Sequence, residues 1–258
     1  ASMDQAVFFG ANLAGADFTG AKLSSTVLQR ADLRGANFSQ ANLAKVVFLE
    51  AKVEELKLRH ASLERCVFKD ADLSGCFFQG AGMFKCLLRG CNLAGRDFTR
   101  ASLRCVQFDS AKLHGCDFTG ADIAMTNFMH ADLQEAVLDQ AEASGAMFLG
   151  ADLRRAKCRG ARLAKACFNQ ADLSAADLTR AVLKQAVCKA ANFEQAELGF
   201  ADFSKADLAG ARLTGAALHM TKMQGARTHD VLWPVSGREG VRGRDEALAA
   251  AEAWKPSE

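Results

Sequence analysis

Every fifth residue of this chain is apolar. Stepping by five from Phe8 to Met223 gives an unbroken column of 44 positions, of which 14 are Phe and most others Leu. Two residues before each lies a second column, from Ala6 to Thr221, that is overwhelmingly Ala. Five matches neither the helical nor the strand period, so each pentad must turn as a unit and send one large and one small side chain to the same side. Four right-angled turns close a square of 20 residues, and the Phe residues sort with that period. Phe8, Phe48, Phe68, Phe108, Phe128, Phe148 and Phe168 fall on one wall, with Phe18, Phe38, Phe78, Phe98 and Phe118 on the opposite one. The pattern predicts rungs stacked at about 4.8 Å with offset aromatic ladders inside.

Within a pentad the small residue holds position one and the large residue position three. Position two is often Asp or Asn, which can hydrogen-bond local backbone at a tight turn. "ADLSG", "ANLAG", "ADFTG" and "ADLQE" fit the pattern A[D/N]LXX as they stand, and over residues 4–226 the chain resembles the pentapeptide-repeat family. The resemblance implies an all-β solenoid: a right-handed quadrilateral β-helix, here of about eleven four-pentad coils, with the Leu or Phe and the small residue inward. Some bacterial members look like duplex DNA and protect DNA gyrase from quinolones or toxins, and others occur in secretion systems.

Composition adds limits. The chain is 50% hydrophobic and 24% charged, which suits a folded domain. No apolar run is long enough for a membrane span and no export segment is legible, so a cytoplasmic location is expected, or secretion by a dedicated system if the chain is an effector. The residues ahead of Met3 read as a cloning remnant. Both Trp and both Pro residues lie in the last 32 positions, where the repeat fades. Residues 227–258 are expected to form a tail or cap with a short helix at about 244–254, and Trp233 and Trp254 are its candidate docking residues.

Candidate chemistry is sparse. Nine cysteines include no C-x-x-C pair, and the five histidines show no zinc spacing with them. Cys66, Cys76, Cys86, Cys91 and Cys116 replace Ala in the small column, while Cys158 and Cys188 replace the large residue, so they are expected to be reduced core filling. No nucleophile–base pair is legible and "GREGVRG" lacks the Lys-Ser/Thr of a phosphate loop. Neither catalysis nor a cofactor or metal is expected.

The outward positions carry more. On the Phe8 wall, position two reads Val7, Val27, Val47, Val67 and Leu87 where Asp or Asn is the rule, and position four adds Phe9 and Leu49. This apolar stripe is a candidate interface for another protein or a second copy. A different wall, centred on Leu23, gathers Lys22, Lys45, Arg65, Lys85, Arg104, Arg162, Lys165, Lys184, Lys205 and Lys222 against Glu64, Asp122, Glu142 and Asp202. Its only interleaved aromatic is Phe84, which argues against nucleic acid as the partner. Arg96 is the anomaly inside the repeat, a guanidinium in the small column; the wall is expected to open there and let it reach solvent or an acid. These features favour a non-catalytic interaction scaffold. The alternatives are a DNA-mimicking topoisomerase-protection protein, which the cationic wall argues against, and a secretion-system effector or structural component.

Overall fold

The structure, a computed structural model, describes residues 2–236 and Val241. The backbone accounts for why a five-residue unit can close. In most pentads the position-three N–H donates to the position-two carbonyl of the next rung, as Phe8 does to Val27 at 2.8 Å, and position five donates to the position-four carbonyl there, Gly10 to Gln29 at 3.0 Å. Position two donates back to the preceding rung, Val27 to Ala6 at 3.0 Å, and position one closes its own turn, Ala11 to Phe8 at 3.1 Å. The partners are 20 residues apart and parallel, from Ser2 with Lys22 to Arg212 with Leu232. On the Leu23 wall the pairing lengthens into four three-residue strands in one parallel sheet of order 1-2-3-4: β1 (Lys22–Ser24), β2 (Asn42–Ala44), β3 (Ser62–Glu64) and β4 (Gly82–Phe84).

Only the position-four N–H is left over by this scheme, and the Asp or Asn at position two takes it. Asp17 Oδ1 accepts from Thr19 N at 2.9 Å, Asn37 from Ser39 at 3.0 Å, and Asp172 from Ser174 at 2.9 Å. The carboxylates respond. The Thr19 hydroxyl and N–H hold Asp17 below its ordinary pKa, and the Arg34 guanidinium, with the Arg34 N–H, brings Asp32 down to about 2.

Each turn also demands a left-handed residue at position five. From Gln5 to Asp230 every fifth residue has φ between 53° and 71°, with Gly75 the exception, and thirty of them are not glycine. Type II turns require this conformation at their third residue, and L-residues adopt it at a cost.

Inside, the large column is buried from Phe18 to Met223, and the aromatic ladders form. Phe48 and Phe68 stack with centroids 4.2 Å apart and 9° between planes, while Phe148 and Phe168 stand at 4.7 Å and 3°. The two Phe walls meet edge to face across the interior, as Phe118 and Phe128 do at 5.9 Å and 80°. Trp233 packs half-buried against the end of this core. The expected helix at about 244–254, with Trp254, lies outside the described residues.

The turn geometry yields a test. Ala175 and Ala190 sit at position five with φ of 56° and 53°. Replacing each by Gly relieves a strain of roughly 1–2 kcal/mol and adds about 0.5–1 kcal/mol of chain entropy, so Ala175→Gly with Ala190→Gly should raise the melting temperature. A lowered one would show that these corners are not strained.

Candidate interaction surfaces on the walls

Position two decides the character of each wall, because its side chain faces outward and either covers or leaves open the position-four N–H. On the Leu13 wall Asp and Asn predominate at position two, and on the Phe18 wall they stand at Asp17, Asn37, Asp97, Asp117 and Asp177; each takes the N–H two residues on. The Phe8 wall differs. Among the described residues no protein atom accepts from the N–H groups of Gln29, Leu49, Lys69, Arg89 and Asp109, five successive rungs beside Val27, Val47, Val67, Leu87 and Gln107. The column itself is parallel-paired from Val7 through Val27, Val47, Val67 and Leu87 to Gln107. Val7 and Leu87 are exposed, at 71% and 43%, and Phe9 is exposed beside them. Val27, Val47, Val67 and Leu49 are half-buried, each covered partly by its neighbours in the ladder.

Charges bordering this stripe are neutralised within the rod. Arg30 pairs with Glu50 at 2.7 Å and lies over the Phe9 ring at 5.7 Å; Lys69 pairs with Asp70 at 3.7 Å and Arg89 with Asp109 at 3.1 Å. What faces outward is an apolar ridge beside a row of open backbone donors. A cavity of about 420 Å³ on another part of the rod, between Glu135, Arg154, Arg155 and Glu194, is by contrast lined by polar side chains apart from Ala175 and carries its own ion pairs, Arg155 with Glu135 at 3.8 Å and Arg154 with Asp152 at 2.7 Å.

The Leu23 wall is the other distinctive surface. Its acids are engaged: Glu64 by Arg65 at 3.8 Å, Asp122 by Arg104 at 3.2 Å, Glu142 by Arg162 at 3.0 Å and Asp202 by Lys184 at 3.4 Å. Among the described residues Lys22, Lys45, Lys85, Lys165, Lys205 and Lys222 have no ion-pair partner, and Lys85 lies over the exposed Phe84 ring at 4.9 Å.

A family model for pentapeptide repeats matches the chain in eight copies, over residues 1–40, 21–59, 41–81, 54–89, 83–120, 126–157, 156–187 and 188–227. The chain belongs to the pentapeptide-repeat family. Among curated proteins no sequence matches it significantly. Solved structures similar to it include HetL, a pentapeptide-repeat protein involved in heterocyst differentiation regulation in the cyanobacterium Nostoc sp. strain PCC 7120, at 23% identity over 93% of this chain and 92% of that one, with a TM-score of 0.29. QnrB1, a plasmid-mediated fluoroquinolone resistance protein, is 18% identical over 80% and 90% of the two chains with a TM-score of 0.45. A pentapeptide-repeat protein of the Arabidopsis thaliana thylakoid lumen is 25% identical over 50% and 69%, with a TM-score of 0.23. No helix among the described residues is long and apolar enough to cross a membrane.

This pentapeptide-repeat rod has one fault in its ladder. Bridges are formed from Asp32 to Lys52 and from Asp72 to Asn92, yet among the described residues none joins Lys52 to Asp72; likewise Lys57 pairs with Phe77 and Asp97 with Asp117, but Phe77 does not pair with Asp97. Gly75, the one corner without a positive φ, lies between the two gaps. The small column at this corner reads Leu56, Cys76, Arg96, Cys116 where its later rungs are Ala. Overpacking by large side chains in a column that is Ala on later rungs would part the wall in this way. Arg96 occupies the parting: it is half-buried, with Nε donating to Ala94 O at 3.4 Å and Nη1 to Cys76 O at 3.2 Å. Cys76 O is the acceptor that Asp97 N would use in a continuous ladder. Ala51 and Ala71 at the neighbouring edge are half-buried, beside a cavity of about 470 Å³ bounded by Leu49, Glu50, Lys69, Asp70 and Asp72.

The cysteines pack as the small-column pattern expects. Thiols of Cys76, Cys91 and Cys116 donate to the carbonyls of Val53, Phe68 and Leu93 at 3.1, 2.9 and 3.0 Å, in the same geometry as the Thr126 hydroxyl to Leu103 O at 2.6 Å. Burial pushes these three thiols up to about 12, which disfavours the reactive thiolate. No three His, Cys, Asp or Glu residues are gathered for a metal among the described residues.

If overpacking causes the fault, Arg96→Ala should close it. The Asp97 amide should gain protection from hydrogen exchange and the rod should be more stable by about 1–3 kcal/mol. A large loss of stability would instead make Arg96 a structural clamp on the two carbonyls.

Proposed function

We propose that the chain is a non-catalytic scaffold, a right-handed rod of about eleven coils over residues 4–226 with a C-terminal tail, that binds another protein or a second copy of itself through the N-terminal half of its Phe8 wall. The observation that carries this reading is the exchange of turn-capping Asp or Asn for Val7, Val27, Val47, Val67 and Leu87 on successive rungs. That exchange gives up a hydrogen bond to the N–H of position four at each of those rungs, and among the described residues five successive apolar residues at position two occur on this wall alone, over a run where bordering charges are already paired. Five rungs at about 4.8 Å span roughly 24 Å, enough for a modest contact. A DNA-mimicking role is disfavoured, because mimicry needs an acidic surface and the Leu23 wall would repel the cationic groove of a topoisomerase. The neighbours' printed roles, heterocyst regulation for HetL and fluoroquinolone resistance for QnrB1, differ from each other and leave the partner to experiment.

Val47 and Val67 point outward, so Val47→Asp with Val67→Asp should leave the melting temperature within a few degrees while weakening association. Light scattering on the double variant, with binding to any partner recovered by the wild-type rod, checks it. Unchanged oligomeric state and undiminished partner binding, with the fold intact, would reduce the stripe to strand propensity. Protection of gyrase from a quinolone at low micromolar protein would overturn the ranking of readings.

A further inference from the structure

The Leu23 wall poses a separate problem of charge. Lys45, Arg65 and Lys85 hold the same corner position on three successive rungs, behind β2, β3 and β4, which pair in register Ala44 with Glu64 and Glu64 with Phe84. Like charges stacked on neighbouring strands repel. At two other corners the sign alternates between cation and acid: Arg30 is followed one rung on by Glu50, and Arg155 is preceded by Glu135. Here the sole acid within reach is Glu64, 3.8 Å from Arg65, and Lys45 and Lys85 on either side have no acidic partner among the described residues. The Lys85 ammonium leans over Phe84 instead, at 4.9 Å. Arg104 one rung further is already held by Asp122.

We infer that the column Lys45, Arg65, Lys85 is a docking strip for an acidic α-helix of a partner protein, lying along the rod with its carboxylates toward the cations. Spacing chooses the helix among anionic ligands. The cations repeat once per rung, about every 4.8 Å. Same-face residues at i, i+3 and i+7 of a helix rise about 4.5 and 10.5 Å along its axis, close to the roughly 4.8 and 9.6 Å of three successive rungs, so Glu or Asp at those positions meets all three. Same-side residues of an extended peptide repeat at roughly 6.6–6.8 Å and fall out of step within three rungs. Single-stranded nucleic acid needs stacking platforms between successive cations, and this strip offers one aromatic, Phe84, with the Lys85 ammonium over its ring. Because this strip lies on a different wall from the apolar stripe, its failure would leave the Phe8-wall reading standing.

The probe is a fluorescein-labelled Ala/Gln-based helical peptide with Glu at i, i+3 and i+7, titrated with the full chain by fluorescence anisotropy. A second peptide of the same composition carries its Glu residues at i, i+2 and i+5, and a third arm is a labelled single-stranded oligonucleotide. The in-step peptide should bind most tightly and weaken as salt rises. Lys45→Gln with Lys85→Gln should cost about tenfold in affinity, whereas Lys57→Gln with Lys157→Gln on the Phe18 wall should leave it unchanged, circular dichroism confirming both folds. Absent binding, equal binding of the two peptides, or equal loss in both variants overturns the strip. Tighter binding of the oligonucleotide than of either peptide overturns the choice of partner.

Discussion

The structure depends on one backbone constraint: a chain that closes a corner every five residues pairs all its N–H groups but one. Positions one, two, three and five find carbonyls in their own turn or in the rungs above and below, and position four does not. That leftover donor must go to a side chain or to water. Asp or Asn at position two is the local answer, and its outward carboxylate or amide fixes the polarity of the wall it stands on. The motif's second letter is therefore a statement about surfaces as well as turns. Where it is obeyed, the wall is polar and closed. Where it is replaced by Val, as on the Phe8 wall, the same site becomes apolar and leaves donors open.

Strain and packing follow from the same repeat. Every corner needs a left-handed residue, so the rod carries thirty non-glycine residues in a conformation they adopt reluctantly. The buried Phe and Leu columns and the ladder must hold them there. The small column is mostly Ala, and it takes Val46 and Val106 fully buried beside an unbroken ladder. Cys and Thr fit by giving their proton to a carbonyl 23 residues earlier. Leu56 and Arg96 are larger, and the ladder parts beside them.

Much of the architecture was legible from periodicity. The interval of five, the closure at 20 and the sorting of Phe8, Phe48 and Phe68 onto one wall all survive as parallel bridges and stacked rings. The stacking of Val27, Val47 and Val67 followed from the same count. The ladder fault was harder to see. Arg96 stood out as a charge in an Ala column, but the gap between Lys52 and Asp72 depends on the combined bulk of Leu56, Cys76 and Arg96 and on the altered corner at Gly75, a glycine that a sequence reader would place in the left-handed region with all the others. Nor could charge counting alone show that Arg30, Lys69 and Arg89 are each neutralised while Lys45 and Lys85 are not, since an ion pair depends on which acid the fold brings beside each cation.

Amide hydrogen exchange resolved to single residues tests the constraint most directly. The position-four amides of Thr19, Ser39, Thr119 and Ser174, each held by an Asp or Asn, should exchange slowly, and those of Gln29, Leu49, Lys69 and Arg89 on the Phe8 wall should exchange at rates near those of open chain. Equal protection of the two sets would contradict the account, because the side chain at position two would then not be what closes a wall.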